Sequence, residues 1–225
     1  MSIFDLPDEV AVARHFRRAL LDSSRHEAPY RRWNLVDTLP EPVGMGIISL
    51  PIMPLLIDDC HGVRDIDNNK RSFFTPELQS RFPVCDLLAR TMQRPEVADL
   101  VGKTCGFEAV GSYLRIEYIQ DIDGAWLEPH RDVPEKLCSM VIYLCTGPDA
   151  REWGTDIYDD EQRWIGRSKG EFNTATIFVA GPNTWHGFDK RKIIGIRRLM
   201  EINYVHPSWR DRTQLCFPEQ PIQAL

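Results

Sequence analysis

The chain has no Cys-x-x-Cys pair, no apolar run long enough to cross a bilayer, no surplus of positive charge, no internal repeat and no low-complexity linker. Each absence excludes something. Its six cysteines (Cys60, Cys85, Cys105, Cys138, Cys145 and Cys216) are scattered, which argues against a zinc ribbon and against a dense disulfide framework. They are expected to be reduced and mostly buried. The longest apolar stretch, residues 43–57, is broken by Pro51 and Pro54 and falls short of the roughly 20 residues that a spanning helix requires. With 33 acidic against 27 basic residues the formal charge is -6, so a phosphate backbone meets no net positive surface and a generic nucleic-acid binder is disfavoured. Asp5, Asp8 and Glu9 flank Pro7 where an export signal needs a basic tip and an apolar segment, so a soluble, cytoplasmic protein is expected. No Ser-His-Asp set with an elbow motif and no phosphate-cradling glycine loop is present.

What is present is 225 residues with 43% hydrophobic character, enough for one well-packed domain. Helix signals dominate residues 1–104, which read as support. Pro7 opens an amphipathic helix with Val10, Ala13, Phe16, Leu20 and Leu21 at three-to-four spacing, and Thr75-Pro76-Glu77 starts a second. Residues 84–92 and 95–100 read as further helices, the latter closed by Gly102. From residue 105 the periodicity shortens. Residues 112–119, 139–145, 156–158, 163–166, 174–180 and 193–205 read as strands separated by turns rich in Gly, Pro, Asp and Asn. The expectation is a mostly β fold, a sandwich or jelly-roll barrel over residues 105–207 packed against the N-terminal helices, with a tail at 208–225. Residues 43–57 fit an edge strand, an interface or a segment buried under the helices.

His130 and Asp132 are separated by one residue, so an extended chain sends both side chains to the same side of the strand. They can share a metal. His186, at the end of the apolar run Thr176-Ile177-Phe178-Val179, is placed to supply a third ligand. Two imidazoles and one carboxylate on one face of an octahedron leave three positions open, as suits non-haem Fe(II), whereas zinc more usually closes as a tetrahedron. A lone His-x-Asp is a weak signal whose bland reading is a surface turn. Arg197 raises it, because Gly195-Ile196-Arg197 projects a planar guanidinium toward the same barrel, and a buried guanidinium demands an anionic partner such as a dicarboxylate.

The runs Leu127-Glu128-Pro129-His130-Arg131-Asp132, Gly181-Pro182-Asn183-Thr184-Trp185-His186-Gly187 and Gly195-Ile196-Arg197 together resemble the 2-oxoglutarate and Fe(II)-dependent dioxygenase superfamily, in its prolyl-hydroxylase-like and phytanoyl-CoA-hydroxylase-like branches. The resemblance covers roughly residues 109–207. It implies a double-stranded β-helix, Fe(II) held by His130, Asp132 and His186, 2-oxoglutarate anchored by Arg197, and O2 as oxidant. The implied outcome is hydroxylation of the substrate with release of succinate and CO2. Halogenases of this kind lack the carboxylate, so Asp132 argues against halide transfer. Tyr118 lies where related enzymes place a tyrosine that donates to the co-substrate carboxylate, although packing in the barrel wall accounts for it equally well. Strand alternation puts Arg198 on the face opposite Arg197, and the Gly-x-Arg pattern favours Arg197 as the anchor.

Lys136 is expected to be solvated. His61, beside Asp58, Asp59 and Cys60, reads as part of a turn; His15, His26 and His206 read as surface or capping residues. Arg14, Arg17, Arg18, Arg25, Arg31 and Arg32 read as a solvated helix face and its continuation. The mouth is expected to be lined by residues 31–57, 121–126 and 153–164, where Trp126, Trp153 and Trp164 either stack on substrate or cover core. Arg115, Glu117 and Arg131 are candidates for binding a zwitterion. The substrate is expected to be a small polar metabolite or an amino-acid side chain, free or peptidyl. Two other readings remain open, a cupin-like barrel that binds metal and ligand without oxidising anything, and a non-enzymatic interaction module.

Overall fold

The computed structural model describes residues 5–54, 62 and 71–225. Helix α1, Glu9–Leu21, begins two residues later than Pro7 suggests, because Asp8 caps it by accepting from the Ala11 N–H at 2.7 Å. Val12, Ala13, Phe16, Ala19 and Leu20 form its buried stripe. Strands β1 (Ser24–His26) and β2 (Arg32–Leu35) follow, then helix α2 (Glu41–Ile48) and strand β3 (Ser72–Phe73). Helices α3 (Pro76–Arg81), α4 (Pro83–Gln93) and α5 (Pro95–Cys105) each carry proline in the first turn, where a missing N–H costs nothing. Helix α5 runs past Gly102 and stops at Gly106, whose φ of 87° is the left-handed cap. Residues 43–48 are therefore helical, and no edge strand forms there.

The remaining strands are β4 (Tyr113–Asp121), β5 (Leu127–His130), β6 (Lys136–Tyr143), β7 (Asp156–Tyr158), β8 (Trp164–Arg167), β9 (Thr174–Phe178), β10 (His186–Phe188) and β11 (Arg197–Val205). They form two antiparallel sheets, a large one in the order β1-β2-β9-β6-β11-β4-β3 and a small one in the order β5-β10-β7-β8. The residues expected to be helical support thus also supply three strands of the large sheet. The two-sheet antiparallel architecture with flanking helices is the expected jelly-roll class. Among the described residues no helix is long and apolar enough to cross a membrane.

Period-two alternation assigns each face of the large sheet. Leu114, Ile116 and Tyr118 of β4, Cys138, Met140 and Ile142 of β6, and Met200, Ile202 and Tyr204 of β11 join the core shared with the helices. The other parity faces the small sheet. Its upper part is apolar, with Ile119, Val141, Tyr143 and Leu199 packed against Tyr30, Phe178 and Ile157. Its lower part is polar and holds Arg115, Glu117, Ser139, Glu201 and Asn203, all buried. The five described cysteines are free and buried.

Candidate metal centre

Strand β10 pairs antiparallel with β5, and His186 lies directly opposite His130 in that register. Two short strands thus bring together residues 56 positions apart. Their rings lie with centroids 4.3 Å apart, and Asp132 Oδ2 is 3.9 Å from His186 Nε2. One donor atom from each of His130, Asp132 and His186 falls within 4.8 Å of the others. Each imidazole spends Nδ1 on a backbone carbonyl two residues earlier, His130 on Glu128 at 2.9 Å and His186 on Thr184 at 2.9 Å. Donation from Nδ1 selects the tautomer whose Nε2 lone pair is free, as a metal ligand requires.

Electrostatics prepare the same atoms. Burial, together with the neighbouring His186 ring, lowers the His130 pKa to about 4, so its ring is neutral at pH 7. Burial alone would raise the Asp132 pKa, but the Lys136 ammonium and His186 outweigh it and hold the group below the usual carboxylate range. Lys136 Nζ donates to Asp132 Oδ1 at 2.7 Å and to Glu201 Oε1 at 2.5 Å, while the Ser139 hydroxyl donates to Asp132 Oδ2 at 2.5 Å. Lys136 is therefore a buried counter-ion and not the solvated side chain its sequence context suggests. Burial opposes its charge, and the two carboxylates more than restore it, raising its pKa.

A cavity of about 670 Å³ contains the cluster and extends in two directions. On the apolar side it is lined by Ile119, Leu199, Phe178, Thr155 and Arg197. Arg197 is 2% exposed and faces inward, as alternation required, whereas Arg198 does not line the cavity. The Arg197 guanidinium packs 3.8 Å from the Phe188 ring centroid, donates from Nε to the Trp153 carbonyl at 2.6 Å and pairs through Nη1 with Asp121. It does not depend on an external dicarboxylate for neutralisation, because Asp121 supplies that charge. Thr155, which no sequence pattern singles out, lines the same cavity, and its Oγ1 accepts from the buried Tyr143 hydroxyl at 2.6 Å. Tyr118 is on the wrong face, packed between the sheet and the helices.

The other end of the cavity is charged. Glu117 accepts from Arg71 at 2.7 Å and from Arg115 at 2.7 Å, while Arg115 also bonds Gln214 at 3.0 Å and Asn203 at 2.6 Å. The Arg115 guanidinium lies between the rings of Phe73 and Trp209, at 4.8 and 5.5 Å. Arg115 and Glu117 are thus spent on each other, which removes them as a zwitterion-binding pair. Arg131 sits at the rim, over the Trp185 ring at 4.7 Å, and donates to the Pro182 carbonyl at 3.0 Å. Trp209, Arg210, Asp211 and Gln214 of the C-terminal segment line this end, in place of the expected residues 31–54, 121–126 and most of 153–164, while residues 55–57 lie outside the described residues. No residue pattern in that segment distinguishes it from a tail. Trp153 is core, Trp164 is half exposed on β8 and bonds Asp156, and Trp126 stacks under Lys190 at 4.8 Å. His15 bonds the Asp37 carbonyl and His206 bonds Ser208, both away from the cavity. His61, with Asp58, Asp59 and Cys60, lies outside the described residues.

No family model matches the sequence, and no curated protein matches it. Solved structures do match in fold. A Pseudomonas putida prolyl-4-hydroxylase is similar over 90% of this chain and 97% of its own, with TM-score 0.56 and 13% identity. A Trichoplax adhaerens prolyl hydroxylase in complex with a peptide fragment of the hypoxia inducible factor oxygen degradation domain is similar over 89% of this chain and 91% of its own, with TM-score 0.54 and 10% identity. The AviO1 protein of Streptomyces viridochromogenes is similar over 89% and 96%, with TM-score 0.53 and 14% identity. The chain has the prolyl-hydroxylase-like fold of the superfamily that its motifs resemble.

Proposed function

We propose, on the premise of that shared fold, that the chain is an Fe(II)- and 2-oxoglutarate-dependent dioxygenase that hydroxylates a C–H bond of a small polar or peptidyl substrate. The single observation that carries this reading is the convergence of His130, Asp132 and His186, with both Nδ1 atoms engaged so that both Nε2 atoms are free for a metal. The donor set fits iron, since three protein ligands on one face leave room for a chelating co-substrate and a gas. Iron, 2-oxoglutarate and O2 would supply the oxidising power, with succinate and CO2 as the co-products.

The chain's own residues do the rest. Arg197 and the Thr155 hydroxyl would hold the far carboxylate of the co-substrate, a role supported by their lining the same cavity as the aliphatic Ile119 and Leu199. The charged end of the cavity, internally paired and rigid, faces the substrate and favours polar groups over an aliphatic chain. The peptide bound to the Trichoplax relative supports admitting a peptidyl substrate.

One observation favours a second reading, a cupin-like barrel that binds metal and ligand without oxidation: Asp121 already neutralises Arg197. Succinate decides between them. Purified protein with Fe(II), 2-oxoglutarate and O2 is expected to release succinate, slowly without substrate and faster with a suitable amino acid or peptide. His130→Ala is expected to abolish the release. A metal-loaded wild type that forms no succinate with any substrate favours the second reading.

A further inference from the structure

Lys136 is four residues beyond Asp132, at the first position of β6, and its ammonium lies between two buried carboxylates. The arrangement is anisotropic about Asp132. Oδ2 is the oxygen nearest His186 Nε2, at 3.9 Å, while Oδ1 receives Lys136 at 2.7 Å. Neither partner is loose. Lys136 is held from behind by Glu201, which is 3.5 Å from Arg115, and all three nitrogens of that guanidinium are bonded. Ser139, which donates to Oδ2 at 2.5 Å, accepts in turn from Asn203 Nδ2 at 3.0 Å. The carboxylate is therefore gripped from both sides, with one oxygen directed at the histidines and the other committed to a cation.

We infer that Lys136 is a positioning residue that restricts Asp132 to one-oxygen metal coordination and so fixes the number of open positions at the metal. The inference rests on the metal-centre reading above. A carboxylate is free to offer a divalent ion one oxygen or two, and the choice follows from what else holds it. If Oδ1 joined the coordination shell, it would have to leave a charge-assisted hydrogen bond and strand a buried ammonium beside Glu201. Three protein donor atoms leave three of six octahedral positions open; a fourth would leave two, too few for a bidentate co-substrate and O2 together. Metal binding alone does not need Lys136. The open-position count does.

The test counts water molecules on Mn(II) bound without co-substrate, by electron–nuclear double resonance in isotopically labelled water. Wild type is expected to hold three, matching the three open positions of a facial ligand set. Glu201→Gln, which keeps Lys136 on Asp132, is expected to hold three as well. The double variant Lys136→Met with Glu201→Gln removes the buried cation together with its second carboxylate, and is expected to bind Mn(II) with one water fewer. An unchanged count in the folded double variant, or loss of its metal, overturns the inference. Wild type that binds no metal fails the underlying reading instead, before any variant is made. Should the double variant not fold, a crystal structure of Mn(II)-loaded wild type decides: Lys136 Nζ is expected to remain on Asp132 Oδ1, and Oδ1 within the coordination shell contradicts the proposal.

Discussion

At neutral pH the His130 ring is uncharged, because burial and the adjacent His186 ring hold its pKa at about 4. The linkage has a definite sign. An unfolded histidine titrates near 6.5, so between pH 6.5 and 4 the unfolded chain binds the extra proton and stability falls with pH. The metal-free protein is expected to lose up to about 3 kcal/mol across that window through this residue, the difference in pKa multiplied by about 1.4 kcal/mol per unit. Chemical denaturation at pH 7 and 4.5, compared with His130→Gln, checks it; an equal loss in the variant contradicts it. Arg197 and Thr155 give a second expectation. Arg197→Lys replaces a fork with a point charge and is expected to weaken 2-oxoglutarate binding by about tenfold or more, with Thr155→Val weaker by a smaller factor. Isothermal titration with Mn(II)-loaded protein reads both. The His130, Asp132 and His186 cluster was legible from the sequence because each residue sits in a short recognisable motif, but Thr155 was not, since it joins the cavity lining only when the residues just before β7 fold against the large sheet.

Strands β4, β6 and β11 are buried on both faces, and this explains what was legible at the scale of elements and what was not. Their apolar content marks them as strands, while their two parities differ in polarity, not in burial. In β4 the parity of Leu114 and Ile116 faces the helices, and Tyr118 shares it; the charged parity of Arg115 and Glu117 faces the cavity. Had that charge been used to choose the cavity face, Tyr118 would have been set aside. Helix α2 was missed for a different reason. Gly44 lowers helix propensity, yet a Cβ there would come within 2.9 Å of Phe172, so the glycine serves close packing. Strands β1 and β3 are too short to show a period. The elements also carry a prediction. Arg131 ties the segment bearing His130 and Asp132 to the one bearing His186, through Trp185 and Pro182. Arg131→Ala is expected to lower Mn(II) affinity by about tenfold, within the range seen for groups that orient metal ligands, with the fold retained. Mn(II) titration followed by electron paramagnetic resonance measures it, and unchanged affinity contradicts it.

Across the whole molecule, the two sheets enclose a cavity whose halves differ in chemistry, one aliphatic around Arg197 and one charged around Arg115. The charged half balances: Arg71, Arg115 and Lys136 against Glu117, Glu201 and Asp132. Arg115 is the cation shared by two of its carboxylates. Arg115→Met leaves Glu117 with Arg71 alone and Glu201 with Lys136 alone and is expected to cost about 3 kcal/mol, read from urea unfolding, whereas a change below about 1 kcal/mol contradicts the account of the network as mutually neutralising. The overall class, two β layers with helices on one face, was evident from the sequence because strand-length runs and turn residues alternate after residue 105. The contribution of the C-terminal segment to the cavity was not, because nothing in a short polar run states which surface it will cover.

Of all measurements, anaerobic titration of wild type with Fe(II) and then 2-oxoglutarate is the most direct test of the central claim that His130, Asp132 and His186 hold a metal with open positions beside Arg197. A weak visible charge-transfer band that grows with 2-oxoglutarate, saturates at one equivalent of iron and is absent in His186→Ala is the expected result. Folded wild-type protein that gives no such band, or a band that persists undiminished in His186→Ala, would contradict it.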